Sequence, residues 1–120
     1  MNRRNRLSRS RDFDTVYRRG RSVSTRFLVL YVFAREDENR ADAGARLGLA
    51  VPKSIGNAVV RNRMKRLLRE AWRARLERVP PGRDFVLVAR PGLAEAVGAQ
   101  GSEWLGDRVD EVLGKAEAAA

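Results

Sequence analysis

Between Lys53 and Arg75 the chain reads KSIGNAVVRNRMKRLLREAWRAR, and this stretch constrains the fold more than any other. Placed on a helix, Val60, Met64, Leu67, Leu68 and Ala71 fall within an arc of about 100°. Arg61, Asn62, Lys65, Arg66, Arg69 and Arg73 fill most of the opposite arc, and Arg63 sits at the border. Arg61, Lys65 and Arg69 stand one above another, a helical turn apart. Such a helix must bury one side. Its other side gathers positive charge that only Glu70 dilutes before Glu77, and this repels itself unless a polyanion offsets it. A solvated basic face is the plainer reading. Arginine outnumbers lysine here, and its planar fork suits phosphate, so the pattern favours nucleic acid.

The remaining charge is uneven. The net charge is +10 over 120 residues. Residues 1–34 carry nine Arg against two Asp, and residues 52–78 carry nine basic against two acidic residues, so each segment holds +7. Residues 79–120 carry four basic and seven acidic residues, a net −3. One basic surface and one ordinary surface produce this asymmetry. At 43% hydrophobic residues the chain suits a single domain with a modest core, not a disordered basic tail. Cysteine and histidine are absent, which excludes a thiolate nucleophile, a zinc finger, a disulfide framework and a histidine acid or base. No apolar run follows the basic N-terminus and none is long enough to span a bilayer, so a cytoplasmic, membrane-free protein is expected.

Along the chain, Arg3, Arg4, Arg6 and Arg9 form a flexible basic arm over residues 1–9. Ser10 caps a short helix over about 11–19, with Phe13, Val16 and Tyr17 on one side and Gly20 at its end. RSVSTRFLVLYVFA is strand-like, with a break near Ser24 to Arg26. Phe27, Val29, Tyr31 and Phe33 share one face, and Leu28, Leu30, Val32 and Ala34 the other. Both faces are apolar, so both need cover; partial cover by the first helix leaves an aromatic cleft. Residues 35–46 read as a loop and Leu47–Val51 as a strand. The basic helix starts near Gly56 or Asn57 and stops before Pro80-Pro81-Gly82. FVLVA is a further buried strand, and Asp84 stands alone before it. Residues 93–102 are small and Gly-rich. Trp104, Val109, Val112 and Leu113 mark a last helix ending near Gly114, with 115–120 frayed. The expected fold is an α+β two-layer sandwich in the order α-β-β-β-α-β-α. Its β-α-β crossover through the basic helix would be right-handed by the general rule, followed by about 98% of such units.

The run LGLAVPKSIGNAVVRNRMKRLLREAW, with RDFDTVYRRG before it and DFVLVARP after it, resembles the protein subunit of bacterial ribonuclease P. Arg61-Asn62-Arg63 matches that family's RNR signature, and the likeness runs from about Arg6 to Pro91 and more loosely onward. The resemblance implies the same fold with an unusual left-handed crossover. It also implies an accessory role: a catalytic ribonuclease P RNA, with magnesium held mainly by the RNA, removes the 5′ leader of precursor tRNA. No catalytic residue and no metal ligand falls on the protein. Lys53, Arg61, Asn62, Arg63, Lys65, Arg66 and Arg69 would face the RNA subunit, neutralising phosphate and so favouring magnesium nearby. Phe13, Tyr17, Val29 and Tyr31, with Lys53, would receive the single-stranded leader, where stacking on aromatic rings tolerates any base. Two positions depart from the family pattern: Ser54, often basic there, and Tyr17, usually phenylalanine.

Each site has a plainer reading. Phe13 and Tyr17 could pin the first helix, and Val29 suits packing better than contact. Arg73, Arg75 and Arg78 suit a solvated helix end, and Trp72 and Trp104 suit core or rim packing. Three other functions compete: a structural RNA-binding protein of ribosomal type, a self-sufficient nuclease, and a DNA-binding module. The lack of histidine and of paired carboxylates opposes the nuclease. The basic helix has no helix-turn-helix context, so DNA is not the expected partner.

Overall fold

The computed structural model describes residues 6–7, 9–35 and 44–119. Helix α1 (Ser10–Arg19) leads into strands β1 (Arg21–Ser24), β2 (Leu28–Ala34) and β3 (Arg46–Ala50). Helix α2 (Ala58–Arg73), strand β4 (Arg83–Ala89) and helices α3 (Leu93–Gln100) and α4 (Ser102–Ala119) follow. The strands form one sheet in the order β1-β2-β4-β3. β2 pairs antiparallel with β1 and β4, while β3 and β4 are parallel, joined through α2. This is the expected order with one short helix, α3, added.

Register sorts the side chains onto two faces. Leu30 lies opposite Leu87 and Val32 opposite Phe85, while Leu47 and Leu49 sit beside Phe85 and Leu87 on β3. These residues face the main core, which Met64, Leu68 and Trp72 of α2 and Leu105, Val109, Val112 and Leu113 of α4 complete. On the opposite face Tyr31 pairs with Val86 and Val29 with Val88. There α1 lays Val16 against Val86, with Leu7, Phe13, Tyr31, Phe33, Ala50 and Val88 around them. Phe27 leaves the face that strict alternation assigns it. It precedes β2, packs on the main core and meets Trp104 edge-on at 5.1 Å.

Several local expectations are corrected. Arg9, not Ser10, holds the N-cap position of α1. Residues 93–100 are helical despite their small side chains, because Leu93 and Val97, one turn apart, are both buried. α4 runs on through Gly114 to Ala119, where Lys115 donates to the Ser24 carbonyl and Arg21 to that of Ala119. The stretch from Lys53 is not one helix: Lys53–Ile55 is a 3-10 turn, Asn57 caps α2 through the Val60 N–H, and Ala74 ends it. Gly56 separates them at φ 158°, where a Cβ would meet Val60 at 2.9 Å. Asp84 lies inside β4, buried, and does not stand alone. Arg46 grips it bidentately at 2.8 and 2.7 Å and Arg35 donates to it at 2.5 Å. Arg35 also donates to the Gly44 carbonyl, which ties the two ends of the connection between β2 and β3; residues 36–43 of that connection lie outside the described residues.

Arg75 and Arg78 are not merely solvated: both are partly exposed but ion-paired. Arg75 bonds Asp110 at 2.5 and 3.1 Å, and Arg78 bonds Asp110 at 2.9 Å and reaches Glu117 at 3.2 Å, so both fasten α2's end to α4. Among the described residues no helix is long and apolar enough to cross a membrane.

Trp72 is 1% exposed and meets Phe85 edge-on at 5.1 Å. Trp72→Ala is expected to cost about 3–5 kcal/mol by urea unfolding; a loss under about 1 kcal/mol contradicts its place in the core. The hydrogen bonds from Arg75 hold the Asp110 carboxyl below the usual carboxylate range, against burial and with added attraction from Arg75 and Arg78. Its folded pKa therefore lies below the unfolded value of about 3.9, so its stabilisation is complete above that pH and vanishes as pH falls through the folded value. The stability gap between the native protein and Asp110→Asn should narrow between about pH 7 and about pH 3. A constant gap contradicts this.

Candidate nucleic-acid interface

The burial of α2 fixes where its charges go. Met64, Leu68 and Trp72 are the buried residues, while Val60, Leu67 and Ala71 are only half-buried. Including Trp72 turns the buried arc by about 50° from the one the periodicity suggests. Arg61, Lys65 and Arg69 therefore flank the buried stripe and are half-buried, whereas Asn62, Arg63, Arg66 and Arg73 are exposed. The Nε of Arg61 is buried with no hydrogen-bond partner among the described residues. Arg63 lines a groove between the start of α2 and α3, beside Val60, Ala94 and Val97. Among the described residues no carboxylate pairs with Arg61, Arg63, Lys65, Arg66, Arg69 or Arg73. The charges of this region thus divide near Arg73: those before it are unneutralised, and Arg75 and Arg78 are paired within the protein.

A second surface lies on the other side of the sheet. α1 crosses that face with Phe13 over Gly48 of β3. A Cβ on Gly48 would stand 2.6 Å from the Phe13 ring, so only glycine lets the ring rest on the strand. Tyr17 is 39% exposed and meets Tyr31 edge-on at 4.9 Å, with Phe13 at 6.3 Å. Burial, then the neighbouring Tyr31 and Asp14, raise the Tyr17 hydroxyl above its ordinary pKa, so it remains a hydrogen-bond donor at neutral pH. Val29, half-buried, lies beside Val88, and β3 brings Ala50 to the far side of Val88. Beyond Ala50, exposed Lys53 links this end of the face to the start of α2. Phe13, Tyr17, Val29 and Tyr31 thus share one face of the sheet with Lys53 at its margin, and the cations of α2 lie across the sheet from them.

The pattern missed three contributors. Phe33 carries the Arg19 guanidinium at 5.3 Å at the end of this face opposite to Lys53. Asp12 lies 3.9 Å from Arg46, which ties the start of α1 to the buried Asp84. Arg6 bridges to Leu47 at the sheet edge, where the sequence suggests a loose arm; Arg3 and Arg4 lie outside the described residues. The signal for Arg6 was Leu7, an apolar residue set among arginines and buried here.

The family model of Ribonuclease P matches residues 1–116. The ribonuclease P protein component of Brevibacillus brevis is 47% identical over 94 residues, 78% of this chain and 71% of that protein. The Thermotoga maritima RNase P protein superposes with TM-score 0.79 at 27% identity, covering 92% of this chain and 96% of its own. The Staphylococcus aureus RNase P protein superposes with TM-score 0.77 at 28% identity, covering 93% and 94%. With a basic helix on one side of the sheet, grouped aromatic rings on the other and this likeness along nearly its whole length, the chain belongs to the family of ribonuclease P protein components.

Proposed function

We propose that this protein component acts through two separate surfaces. The cationic flank and outer face of α2, with Lys53, dock on a catalytic RNA subunit. The cleft between α1 and the open sheet face holds the single-stranded 5′ leader of precursor tRNA. The observation that carries the reading is the unneutralised charge of α2: six cations with no carboxylate partner among the described residues, on a helix whose other side is locked into the core. Folding brings those charges together against their repulsion, and a phosphate backbone offsets it.

In this reading the chemistry belongs to the RNA. Magnesium held there supplies the metal-bound water that phosphodiester hydrolysis needs. In this reading the chain itself supplies neither a metal ligand nor a catalytic residue. Its contribution is indirect. Lys53, Arg61, Arg63, Lys65, Arg66 and Arg69 neutralise phosphates where RNA segments converge, and Asn62 adds an amide to the same surface. That lowers the repulsion against which magnesium must otherwise bind.

The cleft acts on the substrate. Phe13, Tyr17 and Tyr31 present ring faces and edges, Val29 an apolar floor, and Lys53 a charge for the backbone. Stacking is worth roughly 1–3 kcal/mol per base and does not depend on base identity. Such a site suits leaders of varied sequence, and mature tRNA, lacking a leader, gains nothing from it.

Affinity of the assembled ribonucleoprotein for precursor tRNA should therefore exceed that for leaderless tRNA. Tyr17→Ala should remove about 1–3 kcal/mol of that difference while leaving binding of leaderless tRNA unchanged. Equal losses for both substrates contradict the leader assignment. Lys65→Glu should weaken binding of the RNA subunit and flatten its log–log salt dependence by about one unit for the lost phosphate contact. An unchanged slope places Lys65 outside the interface.

A further inference from the structure

Leu7 is 6% exposed, and its N–H donates to the Leu47 carbonyl at 2.9 Å. Arg6 forms a parallel bridge with the same residue. The segment thus lies along the outer edge of β3, the last strand of the sheet. The packing of the helices shows which charges it meets. On the core side of the sheet, α4 packs on β1 and β2, and α2 on β3. Leu67 and Ala71 of α2 line a groove with Gly106 and Asp107 of α4, so that flank of α2 faces α4. The opposite flank, carrying Arg61, Lys65 and Arg69, therefore overhangs the β3 edge where Arg6 is seated.

Charge agrees with this placement. Burial, and after it the nearby Arg6, hold the Arg69 guanidinium below its ordinary pKa, so the two cations are close enough to repel. Neither has a carboxylate partner among the described residues. Two elements distant in sequence thus bring two arginines to the same edge of the sheet, and paired guanidinium forks suit the several oxygens of a phosphate diester.

We propose that Arg6 and Arg69 together clamp one backbone phosphate of the catalytic RNA, making the N-terminal segment part of the surface that docks on the RNA subunit. This rests on the reading above that the Arg61–Lys65–Arg69 flank faces that RNA. The clamp joins the edge of the sheet to the helix through a shared anion, which the free protein must do without.

The test is binding of the full-length protein to a bacterial ribonuclease P RNA over a range of salt. Arg6→Ala, Arg69→Ala, the double variant, Arg6→Lys and Lys65→Glu are compared. Arg6→Ala should bind about tenfold more weakly, with the salt slope lower by about one unit. The double variant should be scarcely weaker than Arg69→Ala, because both residues hold one phosphate. Arg6→Lys should recover only part of the loss, since an ammonium lacks the fork. The thermal midpoint of free Arg6→Ala should rise at low salt, as a like-charge repulsion is removed. Unchanged binding for Arg6→Ala beside weakened binding for Lys65→Glu overturns the clamp and leaves the docking surface standing. Unchanged binding for both overturns the surface as well. A lowered thermal midpoint for Arg6→Ala assigns its effect to folding and overturns the clamp. So does a loss confined to precursor tRNA, which would make the phosphate the substrate's.

Discussion

Burial of Met64, Leu68 and Trp72 against the sheet is the interaction on which the rest of the molecule depends. Each such side chain contributes roughly 1.5–3 kcal/mol when taken from water. Repulsion between partly solvated charges amounts to about 1 kcal/mol or less per pair. Packing therefore decides the orientation of α2, and its cations stay where packing puts them. The row Arg61, Lys65 and Arg69 cannot turn outward without withdrawing Trp72 from Phe85. A soluble protein gains nothing from this alone. A protein that must meet a polyanion gains a rigid, prepaid array of donors whose side chains lose little freedom on binding.

The second surface follows from a mismatch of dimensions. β2 and β4 are apolar on both faces, so both faces require cover. α2 and α4 cover one. Among the described residues α1, with Leu7 before it, packs on the other, and α1 crosses the strands from Gly48 on β3 toward Val32 on β2. A helix covers a band about 10 Å wide, whereas seven-residue strands run about 23 Å. α1 thus leaves the end at Val29, Val88 and Ala50 open, with aromatic rings along its edge. The opposite end is occupied by Arg35, Arg46 and buried Asp84, and the contact from Arg46 to Asp12 holds α1 in place. The cleft and the basic face are separate surfaces because they lie on opposite sides of one sheet, and Lys53 stands where the chain passes between them.

Much of this was legible in the residues. Period-two alternation placed Val29 and Tyr31 opposite Leu28 and Leu30, and helical periodicity found the apolar stripe of α2. What escaped depended on distant partners. Nothing local told that Trp72 would join the buried arc and turn it, since that depends on Phe85 across the core. Arg75 and Arg78 looked like an ordinary helix end because Asp110 and Glu117 lie more than thirty residues away. Asp84 looked isolated because its partners arrive from β3 and from the end of β2. Residues 93–100 hid their helix behind small side chains. The hand of the β-α-β unit is not written in the pattern at all, and there the general rule and the family likeness imply opposite answers.

The most direct measurement is cleavage of a labelled precursor tRNA by a bacterial ribonuclease P RNA at low magnesium, with and without this protein. The RNA alone should be nearly inert and should cut at the leader junction once the protein is added. The gain should shrink as magnesium rises and the ion takes over phosphate neutralisation. A protein that binds the RNA yet leaves cleavage unchanged at every magnesium concentration would contradict this.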